Sequence, residues 1–189
     1  TLEAYFADGS LYDKFLANTY TSITTGMQDT AGNGYVIGMP RINLTSSKIT
    51  AGAKVREAIE RWSGSRVPRG FAPEVWRGFK TDQPIGWVCF DRVIGKYDYI
   101  DYAVGFDASG TITGVEILVY RESYGAEIRN ARWRAQFAGR KAPDTMRFDT
   151  DIRNISGATL SSRHVTEGVQ RLSALVLAVL RGDRDGALR

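Results

Sequence analysis

The chain holds 189 residues, 43% hydrophobic, 11% aromatic and 24% charged, a globular composition that excludes a disordered, collagen-like or disulfide-scaffold protein. A single cysteine, Cys89, rules out an internal disulfide, and a single histidine, His164, rules out a multi-histidine metal site. Twenty-five basic against 21 acidic residues leave a formal charge of +4, which permits an anionic partner without demanding one; no nucleic-acid partner is inferred.

The start, Thr1-Leu2-Glu3, has neither an initiator Met nor a charged stretch followed by an apolar one, so any targeting peptide is expected outside this chain. Leu11, Phe15 and Leu16 suggest a short helix, and Gly32-Asn33-Gly34 a turn before Tyr35-Val36-Ile37, but residues 1–45 carry weak signals. Thr45 and Ser46 are candidate N-caps of a helix that places Val55, Ile59 and Trp62 at helical spacing and stops near Gly64. From Val75 the pattern is β: Trp76 to Phe79, Gly86 to Val93, then Ile100, Tyr102, Val104 and Phe106 in alternation. Asp107-Ala108-Ser109-Gly110 reads as a hairpin turn, and the returning strand is expected to put Val115, Ile117 and Val119 on one face and Leu118 and Tyr120 on the other. Residues 126–138 read as a helix with Trp133 and Phe137 four apart and Gly139 as its stop. The last helix, Ser162 to Leu180, lines up Val165, Val169, Leu172, Val176 and Val179. Its longest apolar run, Leu172 to Leu180, is far short of the roughly 20 residues a membrane-spanning helix needs. The expectation is an α+β fold, an antiparallel sheet packed against helices in a single compact domain.

The segment Ile155-Ser156-Gly157-Ala158-Thr159-Leu160-Ser161-Ser162 carries the chemistry. Gly157 and Ala158 allow close approach to the backbone, and the following helix offers unpaired N–H groups and the positive end of its dipole, a setting that stabilises a phosphate. The alternative is that Ser161 or Ser162 merely caps the helix. The segment is neither a Walker loop nor a dinucleotide fingerprint.

Ser156-Gly157-Ala158-Thr159 resembles the flavinylation motif of the FMN-binding domain family, which includes the periplasmic flavin subunits of Rnf complexes and of the sodium-pumping NADH:quinone oxidoreductase. Upstream, Asp91-Arg92-Val93-Ile94-Gly95-Lys96 with the strand after it, and Tyr120-Arg121-Glu122-Ser123-Tyr124-Gly125 followed by Trp133, Gln136, Phe137 and Gly139, are similar to the family pattern. The likeness covers roughly residues 75–180 and implies one FMN-binding domain over 1–189. It implies FMN joined through its phosphate to Thr159 by a flavin transferase, with Ser156, Gly157, Ala158 and Leu160 around the phosphate. It further implies Glu122, Ser123, Tyr124 and Gly125 at the isoalloxazine. Many members have an acidic residue three positions before the motif serine; this chain has Arg153.

On this reading the chain is expected to be an electron-transfer flavoprotein of the periplasm or another extracytoplasmic space. It would pass electrons between a membrane-bound or periplasmic partner and an acceptor, with membrane association through a segment outside this chain. No catalytic residue of its own and no metal are expected. The other readings are a small FMN-dependent reductase acting on a soluble substrate, with Glu122 or His164 as its acid, and a non-redox anion- or flavin-binding module. Trp133 and Phe137 are expected in the core, Cys89 as a small buried hydrophobe, and Asp149, Asp151 and Arg153 on a solvated rim.

Overall fold

The alternation that runs from Val75 to Tyr120 is realised as consecutive strands of an antiparallel meander. The computed structural model describes residues 42–48, 53–80, 83–144 and 146–181; the expected helix at Leu11, Phe15 and Leu16 and the turn at Gly32-Asn33-Gly34 lie outside them. Among the described residues five strands, β1 (Ile42–Lys48), β2 (Glu74–Lys80), β3 (Gln83–Ile94), β4 (Tyr99–Asp107) and β5 (Ile112–Tyr120), pair in chain order. Helix α1 (Ala53–Ser63) packs on the long helix α3 (Thr159–Leu180), which lies across β3 and β4. The fold is α+β, as expected.

Cross-strand partners Trp87 and Phe106, Cys89 and Val104, Asp91 and Tyr102, and Val93 and Ile100 share the helix-facing side. Tyr102, Val104, Phe106 and Ile100 are fully buried there with Val165, Val169 and Leu172 of α3 and Ile59 of α1. Each such side chain contributes about 1.5–3 kcal/mol on burial, so this seam fixes how α3 lies on the sheet. One end of α3 meets the β4–β5 hairpin, where a Cβ on Gly110 would come 2.9 Å from Leu180. That hairpin is the expected turn: Asp107 Oδ1 accepts from the backbone N–H groups of Ser109 at 2.8 Å and Thr111 at 2.9 Å. The N-terminus of α3 therefore reaches the opposite end of the sheet, beside the turns that follow β3 and β5.

Several local expectations are corrected. Thr45 and Ser46 do not cap α1; they lie in β1 opposite Arg77 and Trp76, and the helix starts at Ala53. Its stop is as expected, with Gly64 at φ 67° donating to Glu60 O at 3.0 Å. The faces of β5 are not a simple alternation, because the register with β4 shifts at Phe106/Ile112 and again where Asp101 pairs Val119 but Tyr102 pairs Ile117. Each bulge inserts an unpaired residue, Thr113 and Leu118, so Tyr120 ends opposite Ile100 and packs on the core with Ile117, while Val119 turns away opposite Asp101. Residues 126–138 form no single helix but a 3-10 turn (Ala126–Arg129), a short α2 (Ala131–Arg134) and a second 3-10 turn (Ala135–Phe137). Asn130 is extended, φ −62° and ψ 124°, and its side chain accepts from Arg132 N, capping α2 instead of continuing the turn before it. Trp133 and Phe137 are still core, edge to face with ring centroids 5.3 Å apart.

Candidate functional site

The site is built at the start of α3. Ala158 N–H donates to Ile155 O at 3.0 Å, closing a four-residue turn whose third member, Gly157, takes the left-handed φ of 85° that such a turn asks of glycine. The helix begins at Thr159, three residues before the expected start, and its first intrahelical bond runs from Ser162 N to Ala158 O at 2.9 Å. Ala158 occupies the cap position, and among the described residues no side chain caps the helix. The serines are engaged elsewhere: Ser162 Oγ lies 2.9 Å from Ala158 O and 3.2 Å from Thr159 O, and Ser161 Oγ lies 3.3 Å from Tyr120 Oη. The capping role considered for Ser161 or Ser162 is therefore not what the structure has. The N–H groups of Thr159, Leu160 and Ser161 open the helix without an intrahelical acceptor, and the positive end of the dipole faces outward. Ser156, Gly157, Thr159 and Leu160 are exposed around them; Ala158 is buried.

The turn after β5 is seated against this segment. Gly125 has φ 89°, and a Cβ there would come 2.6 Å from Tyr120 Oη and 2.8 Å from Ala158 Cβ. Tyr120 Oη donates to Tyr124 O, which holds the turn closed. Ser123 and Tyr124 are exposed, the Tyr124 ring at 84%. Two segments about 30 residues apart in sequence thus meet through Gly125 and Ala158, with Thr159, Leu160 and Tyr124 open to solvent beside the contact.

Glu122 is directed at a third segment. Its Oε1 accepts from the backbone N–H groups of Lys96, Tyr97 at 2.7 Å and Asp98 at 3.1 Å, lashing the β3–β4 turn to the end of β5. These donors, Tyr97 first, hold its carboxyl below the ordinary 4.5. The folded-state value lies below the unfolded one, so the stability Glu122 contributes is complete above about pH 4.5 and is lost as pH falls through the folded-state value. Glu122→Gln is expected to lower the melting temperature at neutral pH and to flatten its fall between about pH 5 and pH 3. Thermal melts across that range check this, and parallel curves for the two proteins would refute it.

His164 Nδ1 is 2.6 Å from Ile94 O, pinned to the end of β3, and Arg163 stacks over Phe148 at 5.1 Å. Arg153 ties the approach to the motif through its backbone, accepting from Trp133 Nε1 at 2.7 Å and donating to Gln136 Oε1 at 2.8 Å. Asp151 pairs with Arg147 on the rim, and Cys89 is fully buried with its thiol pushed up by desolvation. Sequence reasoning missed Tyr97, a 78% exposed ring held beside Glu122. Gly95-Lys96-Tyr97-Asp98 has the composition of a turn, but only the fold shows which carboxylate grips it.

A phosphate-anchored flavin fits what is present: an exposed threonine hydroxyl at the first position of an uncapped helix, small residues before it, and an exposed tyrosine alongside. Residues 95–174 match the FMN-binding domain family. The chain is also 28% identical over 127 residues to a subunit of the Na(+)-translocating ferredoxin:NAD(+) oxidoreductase complex of Acetobacterium woodii, the match covering 62% of this chain and 61% of that relative. The chain thus spans about three-fifths of the relative it matches.

Proposed function

We propose that this chain is an extracytoplasmic electron-transfer flavoprotein whose FMN is held through a phosphoester to Thr159. The observation that carries the reading is the exposed Thr159 at the uncapped start of α3, inside the segment that matches the family. A flavin transferase would exchange the O–H bond of Thr159 for a P–O bond, the hydroxyl proton leaving with the group displaced from the flavin donor. The remaining phosphodiester charge would be received by the free N–H groups of Thr159, Leu160 and Ser161 and by the helix dipole. Bound FMN supplies the chemistry, taking up and giving off one or two electrons.

The chain's own residues position and shield. Gly157 and Ala158 let the phosphate approach the backbone, Tyr124 offers an aromatic face to the ring, and Ser123 and Gly125 shape the turn that carries it. Glu122 acts through the turn it grips, fixing Tyr97 beside the site. Residues 1–189 are taken as one domain with its core in 75–180.

A redox partner in or at a membrane is supported by the relative, whose complex translocates sodium and so works across one. No helix among the described residues is long and apolar enough to cross a membrane, so association would be through the partner or a segment elsewhere. The test is intact mass after coexpression with a flavin transferase. The native chain is expected to gain an FMN-sized increment and a yellow colour that survives denaturation, both absent in Thr159→Ala. A native chain that stays unmodified and binds no flavin would overturn the proposal; FMN extracted by denaturation would overturn the covalent link alone.

A further inference from the structure

Pairing of β2 with β3 ends at Glu74 and Phe90, so β3 from Asp91 to Ile94 has β4 on one side and no β2 partner on the other. A groove of about 1070 Å³ opens along this stretch, between it and one side of α3, walled by Phe71, Tyr99, Tyr102, Asp91, His164 and Arg171. His164, Glu167 and Arg171 follow each other at steps of three and four, so one stripe of α3 faces it. Arg171 is only 5% exposed, and its Nε is buried without a hydrogen-bond partner. The guanidinium is permanently charged and makes no ion pair with a described carboxylate. Asp91, the acid that acts on it through space, is itself committed to the hydroxyl of the fully buried Tyr102, which donates to Asp91 Oδ2 at 2.8 Å.

A buried cation with free donors is costly, and interiors keep such groups by giving them an acceptor. The acceptor expected here has a definite shape. A planar fork of N–H donors matches a carboxylate in a bidentate way. Asp91 and Glu167 beside it disfavour a dianion. Phe71 and the half-exposed Tyr99 supply apolar walls, and the volume exceeds what an inorganic ion would fill. We infer that this groove is a second binding site, for an organic monocarboxylate with a flat apolar body: the carboxylate forks onto Arg171 and the body lies between Phe71 and Tyr99.

The test titrates the full chain with 2-naphthoate, by calorimetry, alongside 2-naphthylmethanol as the uncharged analogue and inorganic phosphate. Saturable one-to-one binding of 2-naphthoate is expected, at least about tenfold tighter than the alcohol, corresponding to the charged contact. Arg171→Met should weaken it at least about tenfold, and Arg171→Lys, which keeps the charge but not the fork, by a smaller factor. Folding of both variants is checked by thermal melts; if either fails to fold, the acid-against-alcohol difference in the native chain decides. Absent saturation, equal binding of acid and alcohol, full retention in Arg171→Met, or displacement of 2-naphthoate by phosphate would each overturn the assignment. The titration is run with and without FMN on the chain, so a protein that never takes up flavin leaves this test intact.

Discussion

Gly168→Ala is expected to destabilise the fold by about 3 kcal/mol, a loss of roughly 10 °C in melting temperature. A Cβ at this position would collide with Tyr102 Oη and stand 2.8 Å from its Cζ and 3.1 Å from Val93 Cγ1. The tyrosine cannot swing aside, since it is fully buried and its hydroxyl donates to Asp91 Oδ2 at 2.8 Å. The methyl must therefore lift α3 from β4 or tear the hydroxyl from its carboxylate, and the second leaves a half-buried acid without its donor. Urea denaturation measures the loss. Gly168→Ala combined with Tyr102→Phe should recover part of it, because the closest clash is with the oxygen that phenylalanine lacks. A single variant as stable as the native chain would show that the helix has slack here, and the rigid placement of its N-terminus by this seam would fall with it.

The strands between Val75 and Tyr120 are legible because period-two alternation is a property of the side chains themselves, and Ile100, Tyr102, Val104 and Phe106 all prove buried. What alternation cannot convey is a bulge. Thr113 and Leu118 look like ordinary strand residues, yet each adds one backbone unit, and Tyr120 reaches the core side only because Leu118 goes unpaired. The break at Asn130 is hidden in a similar way: asparagine is tolerable within a helix, and its extended ψ of 124° is set by the cap it makes to Arg132. Thr45 and Ser46 have the hydroxyls of a cap, but β1 has Arg77 and Trp76 of β2 to pair with, and tertiary pairing outweighs a local preference. At the site, a turn of small and hydroxylated residues leading into a helix is legible, although the helix opens at Thr159 and not at Ser162. The grip of Glu122 on the turn at Tyr97 is not, since no local pattern pairs a carboxylate at the end of β5 with the β3–β4 turn. Arg171 gives no local sign at all. An arginine on a helix is ordinary until the fold removes its solvent and withholds its partner.

The contact between Gly125 and Ala158 can be separated from backbone preference by comparing two glycines. Gly125 and Gly157 have φ of 89° and 85°, so alanine at either carries a similar penalty, about 1–2 kcal/mol for the left-handed conformation. They differ in what a Cβ would meet. At Gly157 nothing lies within 4 Å; at Gly125 the methyl would fall 2.8 Å from Ala158 Cβ and 2.6 Å from Tyr120 Oη. Gly157→Ala should therefore cost only the backbone term, whereas Gly125→Ala should cost about 2 kcal/mol more by overpacking. That excess falls at one joint. The turn carrying Tyr124 must separate from the motif, or the Tyr120 hydroxyl must leave Tyr124 O and Ser161, and either displaces Thr159 from the surface the transferase and the ring are proposed to use. Coexpressed with a flavin transferase, Gly125→Ala is expected to carry less than about a tenth of the native FMN per folded chain, even at temperatures where it remains folded, since a shift of about an ångström costs near a hundredfold in such reactions. Denaturation midpoints and intact mass read the two effects separately. Equal destabilisation by the two alanines would mean that the turn and the motif are not held by this contact. Native flavin content in a destabilised Gly125→Ala chain would mean that the joint supports the fold without positioning Thr159.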